Sequence, residues 1–250
     1  MGTEFNKEQF EAIYPVGIER HYWTLARNRI IADTLRRGGQ MNGILEVGCG
    51  KGIVCGYLRT RGFAVKGVEL SPIEIPLEYQ DIVESGKDVF GVEATFRDTV
   101  RTILLLDVIE HIEKPQAFLH SLRNHFPNLE NFLITVPARQ EIFSNYDTFN
   151  GHFRRYHIET LLSEINTFPG ATTAVSYMFH ALYIPARLLQ VLKKDRSEQI
   201  QAPKQGLTSF IHKILSFFFF CEFKILPSRL PGTSLILAVR MNPENASETL

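Results

Sequence analysis

Apolar and polar positions change their period partway along the chain. Over the first 40 residues Trp23, Leu25, Ile30, Ile31 and Leu35 recur at helical intervals until Gly38 and Gly39 interrupt them. From Gly43 onward, short apolar runs alternate with amphipathic stretches. Ile44–Val47 predicts a strand, the segment through Tyr57 and Leu58 a helix, and Ala64–Leu70 a second strand. A helix over Pro72–Ser85, a short strand near Val89–Val92 and a strongly apolar strand over Ile103–Leu106 follow. A helix around Ala117–Leu122 then leads to a strand over Phe132–Val136, which Pro137 stops. Alternation of this kind builds a parallel sheet with helices on both faces.

Beyond Pro137 the segment Ala138–Tyr156 is polar and aromatic, and it is longer than an ordinary connection, which points to a functional loop. Ile158–Ile165 reads as a helix, Thr173–Met178 as a sixth strand, Ala181–Leu192 and Leu207–Lys224 as helices, and Ser234–Val239 as the last strand. Between those two helices Lys193–Gly206 has only Ile200, Ala202 and Pro203 as apolar residues, so disorder is expected there. The run Phe217–Phe220 sweeps a full helical turn. Burial in the core or between helices is the expectation, with a greasy substrate mouth or a peripheral membrane contact as the alternative.

Composition narrows the class. A chain of 250 residues, 44% apolar and 22% charged, suits one elaborated globular domain. Lysine plus arginine, 27, equals aspartate plus glutamate, 27, so no net field draws the chain to nucleic acid. Cys49, Cys55 and Cys221 are odd in number and lack CxxC spacing, which fits reduced thiols in a cytoplasmic setting and gives no zinc cluster. The histidines form no helical HxxxH pair with an acidic partner, so no metal is expected. Met1–Phe10 has no apolar run of the kind a secretory signal carries, and Ile214–Cys221 is too short to span a bilayer.

The chemistry concentrates at Ile44-Leu45-Glu46-Val47-Gly48-Cys49-Gly50-Lys51-Gly52, an apolar strand running into alternating glycines. Glycine there lets the chain turn sharply and a ligand lie against bare backbone. Glu69 ends the next strand, where a carboxylate can accept from ribose hydroxyls. Gly50–Cys55 also approaches a dinucleotide-binding GxGxxG, with Cys55 where glycine or alanine belongs. Glu46 beside the loop would repel a pyrophosphate and welcome a cationic group.

Glu46-x-Gly48-x-Gly50-x-Gly52 resembles the first motif of class I S-adenosylmethionine-dependent methyltransferases. Asp107-Val108-Ile109-Glu110-His111-Ile112 resembles the segment after strand four in the subgroup that includes ubiquinone-biosynthesis O-methyltransferases. Val136-Pro137-Ala138 with Gly151–Tyr156, His21-Tyr22-Trp23 with Arg27, and Leu226-Pro227 with Gly232–Leu235 are similar to a bacterial subgroup associated with glycan or lipid modification. The resemblance implies an α/β, Rossmann-like, seven-stranded and mostly parallel sheet whose seventh strand is antiparallel. Residues 1–40 would form a helical lid, 41–180 and 225–241 the core, and 181–224 a helical insertion before the last strand. His21, Tyr22, Trp23 and Arg27 equally suit a helix packed on the sheet.

With S-adenosyl-L-methionine as cofactor, the resemblance implies contacts from Tyr22, Arg27, Glu46, Gly48, Cys49, Gly50, Gly52, Glu69, Leu70, Glu93, Ala94, Asp107 and Val108. Asp107 suits a helix cap as well. Two departures stand out: Arg101-Thr102 occupies a position where relatives commonly carry Asp, and Gly91–Thr95 resembles a shortened adenine-contacting loop with Glu93 for the usual Asp. If the acceptor is a hydroxyl, a neutral histidine can take its proton, which nominates His111 and His152, with Tyr156 and Arg155 orienting substrate. The acceptor expected is an oxygen on a small molecule, a sugar or a lipid-linked precursor. A nicotinamide-dependent oxidoreductase and a non-catalytic cofactor-binding module of the same fold are the rival readings.

Overall fold

The computed structural model describes residues 7–166, 168 and 171–241. Residues 1–6, part of the stretch read for a signal and of the lid expected over 1–40, lie outside the described residues. In chain order the elements are α1 (Lys7–Ile13), α2 (Tyr22–Arg37), β1 (Ile44–Val47), α3 (Ile53–Arg59), β2 (Val65–Glu69) and β3 (Val83–Ser85). They continue with α4 (Ala94–Arg97), β4 (Thr102–Leu106), α5 (Pro115–His125), β5 (Asn131–Pro137), α6 (Asn145–Phe149) and α7 (Ile158–Ile165). The last are β6 (Thr172–Met178), α8 (Tyr183–Val191), α9 (Leu207–Ile225) and β7 (Ser234–Arg240).

The seven strands form one sheet in the order β3-β2-β1-β4-β5-β7-β6. β1 through β5 pair in parallel, and β7 runs antiparallel to both β5 and β6, as the resemblance implies. From β1 the chain winds outward to β3, then returns to lay β4 on the other side of β1. That reversal opens a crevice beyond the carboxyl ends of β1 and β4, where ligands bind in open α/β sheets.

Alternation along each strand divides the core in two. Ile103 and Leu105 face α5 and α7 with Leu119, Leu122 and Leu161, whereas Leu104 and Leu106 face α2, α3 and α9 with Ile30, Ile31, Leu58 and Phe219. α2 is thus a core helix: Ala26, Ile30, Ile31 and Leu35 are fully buried against the sheet. The part of the N-terminal segment that covers the crevice is α1 with Tyr14. Its Gln9 donates to the Phe149 carbonyl at 2.7 Å, and Lys51 Nζ donates to the Tyr14 carbonyl at 3.3 Å.

The structure corrects two elements. Pro72–Ser85 is not a helix; it holds one 3₁₀ turn, Leu77–Tyr79, and ends in β3. Pro72 and Pro76 supply no amide hydrogen and disfavour helix for the residue before each. The third strand therefore lies at Val83–Ser85, paired to Gly67–Glu69, and not at Val89–Val92. Val89–Gly91 is a 3₁₀ turn capped by the Asp88 side chain, and Val89 and Val92 are buried in the core.

Lys193–Gly206, expected to be disordered, has neither helix nor strand but is tethered. The Arg196 backbone exchanges two hydrogen bonds with the Asn145 side chain, both at 2.9 Å, and the Ile200 amide donates to Ala12 at 3.2 Å. Such long-range bonds satisfy polar groups that composition alone leaves without partners. In α9, Phe219 is buried with Tyr22 stacked on it, while Phe217 and Phe218 are 58% and 52% exposed, so the phenylalanine run is split between core and surface. Among the described residues no helix is long and apolar enough to cross a membrane.

Candidate cofactor and acceptor site

A cavity of about 470 Å³ occupies the crevice, within the size range of small-ligand sites. Its floor is the loop leaving β1. Gly48, Gly50 and Gly52 all have positive φ, and a Cβ on Gly50 would overlap the Tyr14 phenol. Glu69, at the end of β2, pins this loop by accepting from the Gly50 amide at 2.9 Å and the Ser71 amide at 3.0 Å. Glu46 projects from the fully buried β1 and accepts from the Cys55 thiol at 2.9 Å. Burial pushes the Glu46 carboxyl up to about 7, against the opposing pull of the Cys55 bond and the Arg27 charge. Burial raises Glu69 too, opposed by its backbone donors.

On the far side of β1, β4 ends in Asp107, whose φ of 59° is an uncommon, left-handed conformation for a residue with a side chain. Three contacts hold it there: Arg27 Nη2 lies 2.7 Å from Asp107 Oδ2, Arg27 donates to Thr135 Oγ1 at 3.3 Å, and Thr135 donates to Asp107 Oδ1 at 3.2 Å. Arg27 in turn lies 5.0 Å over the Trp23 ring.

The next turn, Ile109–His111, brings Glu110 and His111 to the cavity, and the loop after α6 brings His152. The His111 and His152 rings meet edge to face with centroids 4.7 Å apart. Burial, then the neighbouring His152, lower His111 to about 4, so its ring is neutral at physiological pH. Glu110 is fully buried, and neither carboxylate oxygen has a hydrogen-bond partner. Burial and the Asp107 charge hold its pKa well above the usual carboxylate range.

Asp147 organises the other half of this wall. Its Oδ1 accepts from His152 Nδ1 and from Arg155 Nε, both at 2.8 Å, and its Oδ2 accepts from the Ser144 amide at 2.8 Å. Burial would raise Asp147, but the His152 bond and the Arg155 charge outweigh it and hold the carboxyl at about 2.

Of the residues nominated from sequence, Tyr22, Arg27, Glu46, Gly48, Cys49, Gly50, Glu69 and Asp107 line this cavity together with His111 and His152. Gly52, Leu70, Glu93, Ala94, Val108 and Tyr156 do not. Gly52 begins α3, where a Cβ would sit 2.6 Å from Val83. Val108 packs behind Gly48, and Glu93 and Ala94 are exposed at the start of α4. Tyr156 is fully buried in the core on the α5 side, its hydroxyl donating to the Ile109 carbonyl at 3.4 Å. Glu110, Asp147 and Tyr14 were not nominated. Glu110 was visible as a second acid in the Asp107–Ile112 motif and Asp147 as the acid of a Ser144-x-x-Asp147 capping box, whereas no local signal announced Tyr14.

Residues 20–168 match a family described as a methyltransferase domain, and the chain belongs to that family. It is 31% identical over 106 residues to a ubiquinone biosynthesis O-methyltransferase of Rickettsia felis, covering 40% of this chain and 43% of that protein. The corresponding protein of Rickettsia conorii is 30% identical over 106 residues, covering 40% and 37%. These alignments span less than half the length of the curated relatives. Among solved structures, the plantazolicin methyltransferase BamL, in complex with a desmethylPZN analog and SAH, superposes with a TM-score of 0.52 at 10% identity, covering 94% of this chain and 89% of that one. The methyltransferase domain of bacterial CtHen1-C gives 0.50 at 10% identity, covering 87% and 98%. At such identities the likeness is one of fold. Family membership sets aside the nicotinamide alternative.

Proposed function

We propose that this chain transfers a methyl group from S-adenosylmethionine to an oxygen of a small-molecule, sugar or lipid-linked acceptor. The observation that carries this reading is the meeting, in one cavity, of a bare-backbone glycine loop, the buried carboxyls of Glu46 and Glu69, and the Glu110–His111–His152 cluster. The donor's groups suit these residues. A buried Glu46 gains a counter-charge from an ammonium group, and Glu69 has acceptor capacity left for ribose hydroxyls. Gly48 and Gly50 offer backbone without side chains, and Tyr22, Arg27, Cys49 and Asp107 line the same space.

S-adenosylmethionine supplies an electrophilic methyl on a sulfonium, and aligning an acceptor oxygen with that carbon provides much of the rate. The Glu110–His111–His152 wall promotes loss of the acceptor's hydroxyl proton. The relatives named as ubiquinone biosynthesis O-methyltransferases support the oxygen acceptor, and the plantazolicin neighbours crystallised with SAH support the donor.

A lipid-linked acceptor is favoured within this class by the surface of the insertion. Ile184 and Leu188 on α8 are 62% and 55% exposed, near the exposed Lys193 and Lys194, while Ala186 and Leu189 of the same helix line the cavity. On α9, Phe217 and Phe218 with Lys213 form an exposed apolar face of the same kind, and such faces suit contact with an anionic lipid headgroup layer.

Calorimetric titration of the purified chain with S-adenosylhomocysteine tests the reading. Saturable binding is expected, weakened by about 1.5–3 kcal/mol in Glu69→Ala, the range for hydrogen bonds to a charged group. No binding by the folded chain overturns it. Binding without turnover of S-adenosylmethionine across phenol, sugar and polyprenyl-linked acceptors would leave a cofactor-binding module in its place.

A further inference from the structure

Glu110 is the anomaly of the cavity wall. A carboxyl with both oxygens buried and without a hydrogen-bond partner is costly to keep, and buried acids of this kind are normally paired or bound to a cation. The two guanidiniums of the wall whose charge reaches Glu110 are already engaged, Arg27 by Asp107 and Thr135 and Arg155 by Asp147 and the Ala138 carbonyl. What stands beside Glu110 is a pair of imidazoles. One ligating atom from each of Glu110, His111 and His152 can be chosen so that all three lie within 4.8 Å of one another, close enough to share one ion.

The surroundings of both histidines match those of metal ligands. Metal-bound histidines as a rule give their second ring nitrogen to a carboxylate or a backbone carbonyl, which fixes the ring's orientation. His152 Nδ1 is held by Asp147 at 2.8 Å, and Asp147 is itself locked by Arg155 and Ser144. The His111 ring is held by the backbone at Asn150 and Gly151. The two histidines are far apart in sequence and come from different loops, so no local spacing announces them. The sequence-based expectation of no metal rested on spacing of that local kind.

We propose that Glu110, His111 and His152 bind one divalent first-row transition ion, such as zinc, cobalt or manganese, in the acceptor half of the cavity. Two imidazoles and one carboxylate favour these ions over magnesium and calcium, which prefer oxygen ligands throughout. Three protein ligands leave coordination positions open to the cavity for an acceptor hydroxyl. The ion lowers the pKa of that hydroxyl, whose proton passes to water. The freed oxygen pair forms the new bond to the methyl carbon as the carbon–sulfur pair returns to sulfur, giving a methyl ether and S-adenosylhomocysteine. The binding site stands on the three side chains alone; its part in catalysis rests on the proposed methyl transfer.

The untagged full chain, stripped with a chelator, is titrated with Co²⁺ and followed by visible absorption, with bound metal counted by elemental analysis. One Co²⁺ per chain is expected, displaceable by Zn²⁺. Glu110→Gln and His152→Ala are each expected to weaken it at least tenfold, and Asp147→Asn about tenfold or more through the His152 ring. Circular dichroism verifies that each variant is folded. No stoichiometric Co²⁺ on the folded wild-type chain overturns the proposal, as does binding that folded variants leave unchanged. A parallel titration with S-adenosylhomocysteine separates the two readings. Cofactor binding without Co²⁺ binding defeats the metal site alone, and Co²⁺ binding without cofactor binding defeats the proposed activity alone.

Discussion

Glu46 is a carboxyl set in a strand buried along its whole length, and its protonation follows from that burial. It titrates near 4.5 in an unfolded chain and at about 7 in the folded one. Between those values the folded chain holds more protons than the unfolded chain, so stability falls as pH rises through the window. Glu69 and Glu110, also raised by burial, act in the same direction. Glu46→Gln is therefore expected to give a shallower decline of the urea midpoint across that window than the wild type. An unchanged slope would mean that Glu46 is ionised well below 7 in the fold. At this scale much was legible: the strand-then-glycine pattern marked Glu46, Gly48 and Gly50, and the end of the next strand marked Glu69. The Arg27–Asp107 ion pair was not, because it joins segments that meet only through the sheet. Neither was the convergence of His152 and Arg155 on Asp147; both are near it in sequence but are turned onto it by the fold of their loop.

Elements inherit both the strengths and the failures of local pattern. The strands at the centre of the sheet were read from unbroken apolar runs, the signature of strands buried on both faces. β3 escapes the local pattern because it is an edge strand of three residues, too short to carry a period. The insertion shows how an element can hang on one side chain. Buried Glu222 of α9 accepts from the His180 amide at 2.6 Å and the Ala181 amide at 2.8 Å, fastening the chain that enters α8. Glu222→Ala leaves both donors without this acceptor, and a loss of about 2–4 kcal/mol is expected. For a chain of this size that lowers the melting temperature by roughly 4–16 °C. A scanning-calorimetry shift below about a degree would show that water replaces the carboxylate at no cost.

At the scale of the whole molecule, the cavity is assembled from α1, the glycine loop, the turn after β4, the loop around α6 and the segment after α8. The outer faces of α8 and α9 leave apolar side chains in solvent beside lysines. The chain is accordingly expected to co-sediment with phosphatidylglycerol vesicles more than with phosphatidylcholine vesicles. Joint substitution of Phe217→Ser and Phe218→Ser should release it without disturbing the buried Phe219. Equal recovery of variant and wild type on anionic vesicles would remove the lipid surface from the proposal. By itself the sequence determined the fold class, the cofactor loop and the order of most elements, because apolar period, glycine and proline act between near neighbours. Tertiary structure alone decided that Glu110, His111 and His152 share one wall, that α2 is core while Tyr14 covers Gly50, and that Tyr156 faces away from the cavity. Those outcomes depend on which distant segments the sheet order brings together, and on the burial and charge each side chain meets there.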